Sequence, residues 1–353
     1  MSGGVDSTMA AILMQEAGHD VIGMTMRLYD AKLVPGKGRG GTCCSPAEVD
    51  RAKLVCDRLG IPHYTVDEGE RFQAAVIDDF VRAYAAGETP NPCVRCNERI
   101  KFTPLLTRAR ALGAEQLVTG HYARAENGRL YRGVDPAKDQ TYFLFAMGRE
   151  ALAHVHFPLA GWTKDKVREK AKAYAMPNHA TPDSQEICFV PNGDHAKIVE
   201  RRAVELGLDL SRLGPGRFVD RSGNVLGEHA GIHRVTIGQR RGLALATGTP
   251  RYVLNILPDT RDVVVGDASE LQATSLVVRD FRELEDLAQD EPFAAQVQIR
   301  HRSRPSPAMV TVSQGSVRVQ FEQPVSAVAP GQAAVIYRGD QVLGGGWIAS
   351  EVS

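Results

Sequence analysis

Hydrophobic and polar positions in the first half of the chain alternate between helical and extended periods. Residues 7–17 predict a helix that stops at Gly18, a residue suited to a left-handed cap. The apolar run 21–26 predicts a buried strand. Ser45-Pro46-Ala47-Glu48 is a capping box with proline in the first helical position, and it opens a helix ending near Gly60. A short strand at 63–66 follows, then a helix at 72–86 with Val76, Phe80 and Tyr84 on one face. A further helix over 98–112 and a strand at 116–119 complete the series. Such alternation predicts an α/β fold, a doubly wound parallel sheet with helices on both faces.

Around Cys188 the texture changes. After a mixed segment at 192–213, short strand-type runs occur at 217–220, 233–237, 252–256 and 263–265, punctuated by Gly and Pro. Others follow at 294–299, 309–312, 317–321, 333–337 and 346–348. Regularly spaced short strands predict two small β-barrels or sandwiches. The expected division is therefore 1–194, 195–271 and 272–353, with no internal repeat.

Composition narrows the class. The 353 residues are 43% hydrophobic and 24% charged, the balance of a soluble globular protein, and 353 residues is too many for one small core. No stretch reaches the ~20 apolar residues of a membrane helix. The opening residues lack a basic-then-apolar leader, so the expectation is a cytoplasmic protein without a membrane partner. The 42 basic and 42 acidic residues cancel, but not evenly along the chain. Residues 195–261 carry 11 Lys/Arg against 6 Asp/Glu. An acidic stretch (Asp280, Glu283, Glu285, Asp286, Asp290, Glu291) then precedes the basic cluster Arg300, His301, Arg302 and Arg304. On charge alone these read as ordinary solvated surface.

Ser2-Gly3-Gly4-Val5-Asp6-Ser7 leads directly into a predicted helix. Two glycines let the backbone curl so that successive N–H groups face one anion. The helix N-terminus adds partial positive charge, and Ser2 and Ser7 add hydroxyl donors. Asp6 inside such a loop would repel phosphates unless a Mg²⁺ ion intervened. A Gly-Ser turn capping a helix is the plainer alternative, which the full string outweighs. The loop resembles that of the PP-loop ATP pyrophosphatases, a superfamily that adenylates a substrate oxygen and lets a nucleophile displace AMP. By itself this leaves the acceptor open.

Six cysteines occur, at 43, 44, 56, 93, 96 and 188. In a reducing compartment they read as buried apolar groups, metal ligands or redox catalysts. Cys56, beside Leu54, Val55 and Leu59, reads as a small core residue. Asn91-Pro92-Cys93-Val94-Arg95-Cys96-Asn97 reads as a turn before a helix capped by Asn97, a setting that lowers a thiol's pKa. Asp183-Ser184-Gln185-Glu186-Ile187-Cys188-Phe189 places another cysteine in a polar segment.

Together, SGGVDS, NPCVRCN, TGHY at 119–122, KDQTYFL at 138–144, DSQEICF, GEHAGIHRVTIGQRRGL at 227–243 and PGQAAVIY at 330–337 resemble the bacterial tRNA 2-thiouridylases, in that family's order and over essentially the whole chain. The resemblance implies ATP-dependent conversion of the wobble uridine of tRNA to 2-thiouridine, with the anticodon loop as the target. It implies that Cys188 carries a persulfide received from a cysteine desulfurase or sulfur-relay protein. Cys96 would be the nucleophilic partner, able to close a disulfide with Cys188. Met1, Ser2, Gly3, Gly4, Val5, Asp6, Ser7, Met26 and Gly120 would surround ATP. Asn91, Pro92 and Cys93 would lie by the target base, while His121, Lys138, Asp139, Gln140, Arg300, His301 and Gln332 would contact tRNA.

Two positions depart from the common family pattern, Cys93 where many relatives have Asp and His301 where relatives often have Tyr. The CxxC of Cys93 and Cys96, with Cys188, leaves open an iron–sulfur cluster. A PP-loop synthetase of a small metabolite would need neither the cysteine pair nor the trailing β-domains, and a tRNA-binding protein without catalysis would leave SGGVDS unexplained. In relatives an apolar strand precedes the PP-loop, whereas here Met1 immediately precedes Ser2. The expectation is that the natural start lies upstream, and that without that strand 21–26 and 116–119 lack a central partner.

Overall fold

The computed structural model describes residues 1–28, 46–182, 187–190, 193–246 and 248–352. Ser45 of the expected capping box, Cys43, Cys44 and the Asp183–Glu186 string lie outside the described residues. The chain forms two compact units. The first comprises Met1–Val76, Cys93–Gly193 and Asp340–Val342; the second comprises Ile77–Pro92, Asp194–Gly339 and Leu343–Ser353.

In the first unit helix α1 spans Val5–Glu16, two residues earlier than its periodicity predicts, and Gly18 takes the left-handed conformation just beyond it (φ 85°). Strand β1 (Gly23–Arg27) is buried along four of its five residues. Helix α2 (Pro46–Leu59) ends before Gly60, also left-handed at φ 68°. It leads to β2 (His63–Asp67), parallel to β1 with Gly23 opposite His63 and Arg27 opposite Asp67. Strand β3 (Leu117–Val118) is followed by the hairpin β4 (Ala123–Glu126) and β5 (Arg129–Arg132), which periodicity did not reveal, and then by β6 (Val155–His156). β3 pairs in parallel with β6. The parallel strands thus appear as two pairs, β1–β2 and β3–β6, with no strand between them among the described residues. Val5, Met9 and Ile12 of α1 pack with Tyr122, Leu159, Val167 and Met176. Each buried aliphatic side chain contributes about 1.5–3 kcal/mol, so this layer anchors the helix whose N-terminus carries the loop.

The sequence expectation of a turn followed by a helix from residue 98 is corrected. A helical turn already forms at Pro92–Cys96 and continues as a π-wound segment, Asn97–Phe102, before the α-helix Thr103–Ala111. Proline lacks the N–H that the first helical position leaves unpaired, so Pro92 starts the helix rather than delaying it. Asn97 is not a cap: its side-chain amide donates to Phe143 O at 2.9 Å.

In the second unit β7 (Gly216–Val219), β8 (Val225–His229), β9 (Tyr252–Leu257) and β10 (Asp262–Gly266) form a sheet in the order β8-β7-β10-β9. The strand expected at 233–237 is instead a 3₁₀ turn, Ile232–Arg234. The turn buries His233 against Glu200 (Nε2···Oε1 2.9 Å), a partner that a strand-facing polar side chain in this core would lack. The mixed segment contains a helix, His195–Glu205.

Strands β11 (Gln272–Glu283), β12 (Phe293–Gln298), β13 (Ser306–Ser313), β14 (Ser316–Ser326), β15 (Ala333–Arg338) and β16 (Gln341–Val352) follow in the order β11-β14-β13-β12-β15-β16. A β11–β16 pairing closes them into a six-stranded barrel. Ala308, Val310 and Val312 of β13 and Val317, Val319 and Phe321 of β14 point inward, with polar or exposed residues between them, the period of two that a one-sided strand requires. Within the first unit, Gln341 and Val342 pair with Tyr131 and Leu130 of β5.

Candidate active site

Residues 2–7 form a closed turn at the start of α1. Gly4 stands at the N-cap, and Gly3 adopts φ 74°, a conformation that a side chain resists. A Cβ on Gly3 would also lie 2.7 Å from the carbonyl oxygen of Glu48. Ser7 Oγ donates to Gly4 O (3.0 Å) and lies 3.1 Å from both Ser2 N and Ser2 Oγ. The turn leaves the first N–H groups of the helix as donors without intrahelical partners, the arrangement that receives an anion. Met1 lies alongside β1, its carbonyl accepting from Thr25 Oγ1 at 2.8 Å and its amino group bonding Met24 O. Met26 is buried on the same strand.

Gly120, just beyond β3, comes against this turn. A Cβ there would sit 2.5 Å from Asp6 C and 2.7 Å from Ser7 N, so only glycine lets the two backbones approach. The structure therefore joins Gly120 to the Ser2–Ser7 loop across more than a hundred residues.

Three contributors escaped the sequence reading. Lys164 Nζ lies 2.8 and 2.7 Å from the two carboxylate oxygens of Asp6, with its side chain only 8% exposed. Tyr122 OH donates to Asp6 Oδ1 at 2.7 Å. The fully buried Asn178 donates to Gly3 O (2.9 Å) and to Thr8 Oγ1 (2.8 Å), and its Oδ1 has no partner among the described residues. The loop's acidic residue is thus offset by a lysine. Both Asp6 oxygens are already engaged, so the side chains present are not arranged as a ready Mg²⁺ site. Tyr122 lay in the TGHY string, but Lys164 and Asn178 carry no local signal.

The string at 138–144 turns inward. Gln140 accepts from Tyr122 N (3.0 Å) and its own N donates to Tyr122 O (3.1 Å), which clamps the residue after His121. Asp139 accepts from Arg132 (2.7 Å) and from Thr141 Oγ1 (2.9 Å). These two side chains, expected at tRNA, make scaffold contacts here, and Lys138, Asp139 and Gln140 are all partly exposed. His121 Nδ1 lies 2.8 Å from Thr119 Oγ1, and its ring packs 5.7 Å from Phe102 and 6.0 Å from Phe157. Burial, helped by the charge of Lys101, pushes its pKa from 6.5 down to about 3, so the ring is a neutral donor–acceptor.

Cys93 is exposed, Cys96 is buried and Cys188 is partly exposed. Cys96 closes the Pro92–Cys96 turn, so Cys93 stands in the first turn of this helical segment and Cys96 does not. Asn97, next to Cys96, ties this segment to the 138–144 string through Phe143. Cys188 sits in a turn anchored by Phe189, which is 1% exposed and packs edge-on against Phe72 with centroids 5.8 Å apart. Among the described residues no three His, Cys, Asp or Glu side chains are gathered as a metal site requires. Cys93, Cys96 and Cys188 are accordingly not brought together as three cluster ligands. Cys56 is fully buried, as its helical neighbours predict.

In the second unit Asn91 is buried, and Gln332 Nε2 donates to Thr89 O (2.9 Å) and Pro90 O (3.3 Å). Thr89 N donates to Pro330 O at 2.8 Å, and Arg279 pairs with Glu88 at 2.6 Å. The amide nitrogen of Gln332, expected at tRNA, therefore holds the backbone leading to Asn91 and Pro92. Arg300 and His301 are exposed on a turn shaped by Gln298, whose Nε2 bonds Arg300 O (3.0 Å) and His301 O (2.8 Å). No helix among the described residues is long and apolar enough to cross a membrane.

A family model for a tRNA methyl transferase HUP domain matches residues 1–192. Models for the corresponding PRC-barrel domain and for an aminomethyltransferase β-barrel domain match 209–267 and 273–348. The chain is 48% identical to the tRNA-specific 2-thiouridylase MnmA of Geobacter metallireducens, over 99% of this chain and 95% of that one. It is 46% identical to the protein of that name from Carboxydothermus hydrogenoformans (99% and 96% covered) and 44% identical to that from Rickettsia massiliae (100% and 96% covered). With identity of this order running the length of both chains, the chain belongs to the tRNA-specific 2-thiouridylase family.

Proposed function

We propose that this protein thiolates the wobble uridine of tRNA at C2, using ATP to activate the base and a cysteine persulfide to supply sulfur. The observation that carries this reading is the loop at Ser2–Ser7, closed on itself, backed by Gly120 and charge-balanced by Lys164, in a chain whose relatives are named for 2-thiouridine formation. The C2 carbonyl of uracil is a poor electrophile. Attack of its oxygen on the α-phosphorus of ATP releases pyrophosphate and converts the oxygen into AMP, a good leaving group. The loop N–H groups and the α1 N-terminus would hold the pyrophosphate.

The terminal sulfur of a Cys188 persulfide, loaded by a cysteine desulfurase or sulfur-relay protein, then attacks C2 as AMP departs. The Cys96 thiolate attacks Cys188 Sγ. The S–S bond to the transferred sulfur breaks, its electron pair forms the thiocarbonyl, and a Cys96–Cys188 disulfide remains for a thiol to reduce before the next turnover. Asn91, Pro92 and Cys93 would border the target base, which an anticodon loop presents unstacked. His121, Lys138, Arg300 and His301 would contact tRNA. Asp139, Gln140 and Gln332 would act there through the backbone they hold. If a Mg²⁺ ion accompanies ATP, Asp6 would be its protein ligand only after parting from Lys164. The reaction would take place in the cytoplasm. Methyl transfer, which two of the matching models carry in their descriptions, would need neither a pyrophosphate loop nor two cysteines.

The test is mass spectrometry of nucleosides from tRNA incubated with the protein, ATP and a sulfur donor. 2-Thiouridine at the wobble position, with one AMP released per base, is the expected result. Unmodified uridine, or modification that proceeds without ATP, overturns the proposal.

A further inference from the structure

The string at 227–243 ends in Gly238-Gln239-Arg240-Arg241-Gly242, and no role assigned above uses it. Its backbone is locked from both sides. Gly238 N donates to Val253 O (2.8 Å), Val253 N donates back to Gln239 O (3.0 Å), and Gln239 N donates to Thr236 O (3.0 Å). The Gln239 side chain closes the remaining gap, accepting from Thr236 N (3.1 Å) and donating to Arg241 O (3.0 Å). Gly238 and Gly242 are left-handed at φ 83° and 79°, and Leu243 is buried in the core of the four-stranded sheet. A tip built this way has already lost the freedom that a flexible loop would lose on binding.

What the tip presents is charge. In this sheet domain Arg212 pairs with Asp259, Arg217 with Asp262, Arg221 with Glu270, Arg234 with Glu200 and Arg251 with Asp267, while Arg261 donates to Ser211 O. Arg240 and Arg241 are the exceptions. Both are exposed, and neither guanidinium has a partner among the described residues. The same tip rests on the barrel, where a Cβ on Gly238 would lie 2.8 Å from Ala327 Cβ. The Arg300 guanidinium bonds the carbonyls of Ala327 and Ser326, the latter at 2.8 Å. Ala327 therefore lies beside both Gly238, at the base of the tip, and the Arg300 guanidinium.

We propose that Gly238–Gly242 is a rigid phosphate-binding finger that grips the tRNA backbone, and that with Arg300 it forms one continuous cationic edge. This rests on the reading of the protein as a tRNA-modifying enzyme. Two adjacent guanidiniums on a fixed backbone suit consecutive phosphates, and no base is read, so the contact sets register rather than sequence.

Binding of tRNA measured across a salt series tests it. Arg240→Ala/Arg241→Ala should lower the slope of log K against log salt by about 1.4–1.8, which near 0.15 M salt corresponds to roughly 10- to 30-fold weaker binding. Arg240→Lys/Arg241→Lys should keep most of the slope, and Arg212→Ala, whose charge is already paired, should leave it unchanged. An unaltered slope in the double alanine variant, with a melting temperature equal to that of the parent, overturns the finger. So does an equal loss in Arg212→Ala, which would make the effect one of general charge. If the parent protein itself binds no tRNA, the proposed function falls and takes the finger with it, an outcome distinct from the first two.

Discussion

Replacing Lys164 by methionine keeps most of the side chain's volume and removes only its charge. In the structure that charge lies 2.7 Å from Asp6, at the mouth of the phosphate loop, with lysine 8% and aspartate 31% exposed. At an effective dielectric of ~20 the direct attraction is about 6 kcal/mol, but both groups were desolvated to achieve it. Breaking a fully buried pair costs about 3–5 kcal/mol and an exposed one under ~1. With Asp6 one-third exposed and Tyr122 still donating to it, a stability loss of roughly 1–3 kcal/mol is expected. The effect on ATP is a second, separate quantity. An unneutralised carboxylate ~6 Å from a phosphate charge at a dielectric of ~40 costs about 1.4 kcal/mol, or tenfold in affinity. Thermal melts and ATP titration calorimetry measure the two. Asp6→Asn combined with Lys164→Met removes the stranded charge and should recover most of the lost stability, as coupled neighbours do in a double-mutant cycle. Unchanged melting and ATP affinity in Lys164→Met, or a double variant no more stable than the single one, would refute the reasoning.

Cys188→Ser should abolish 2-thiouridine formation while AMP release persists, and Cys96→Ser should stop turnover with a persulfide accumulating on Cys188. Nucleoside and intact-protein mass spectrometry would expose normal yields, which contradict a two-cysteine relay. Gly120→Ala drives a methyl group into the Asp6–Ser7 backbone and should cost about 1–3 kcal/mol along with ATP affinity. Gly161→Ala, with nothing within 4 Å of the new carbon, is the matched control in the same melts. Desolvation pushes the His121 pKa from 6.5 down to about 3, so between those values the unfolded chain binds the extra proton and stability rises with pH. The parent should therefore lose stability relative to His121→Asn as pH falls from about 6.5 toward 4, and parallel melting curves across that range would count against a half-buried neutral imidazole.

Much of the local architecture was legible because its causes are local. The period of two in β13 and β14 follows from one-sided burial, and Gly18 and Gly60 end α1 and α2 because only glycine turns left-handed there at little cost. The Ser2–Ser7 loop was readable for the same reason, its glycines, hydroxyls and helix start lying within six residues. Local reading failed where a neighbour outside the window decided the outcome. Pro92 could open a helix or precede one, and the Asn97–Phe143 bond accompanies the first choice. Residues 233–237 had a strand's pattern, yet Ile232–Arg234 is a 3₁₀ turn in which His233 meets Glu200. The partners that complete the candidate sites lie further still. Lys164 reaches Asp6 across 158 residues, and Gln332 reaches Thr89 across 243. No periodicity links such positions, because what joins them is the return path of the chain, and that path is set by which buried faces pack together. The sequence by itself thus determined most of the elements, the phosphate loop and the family. Tertiary structure alone decided which charge balances Asp6, which glycine backs the loop, and that Asp139, Gln140 and Gln332 hold backbone while Arg240 and Arg241 stay exposed.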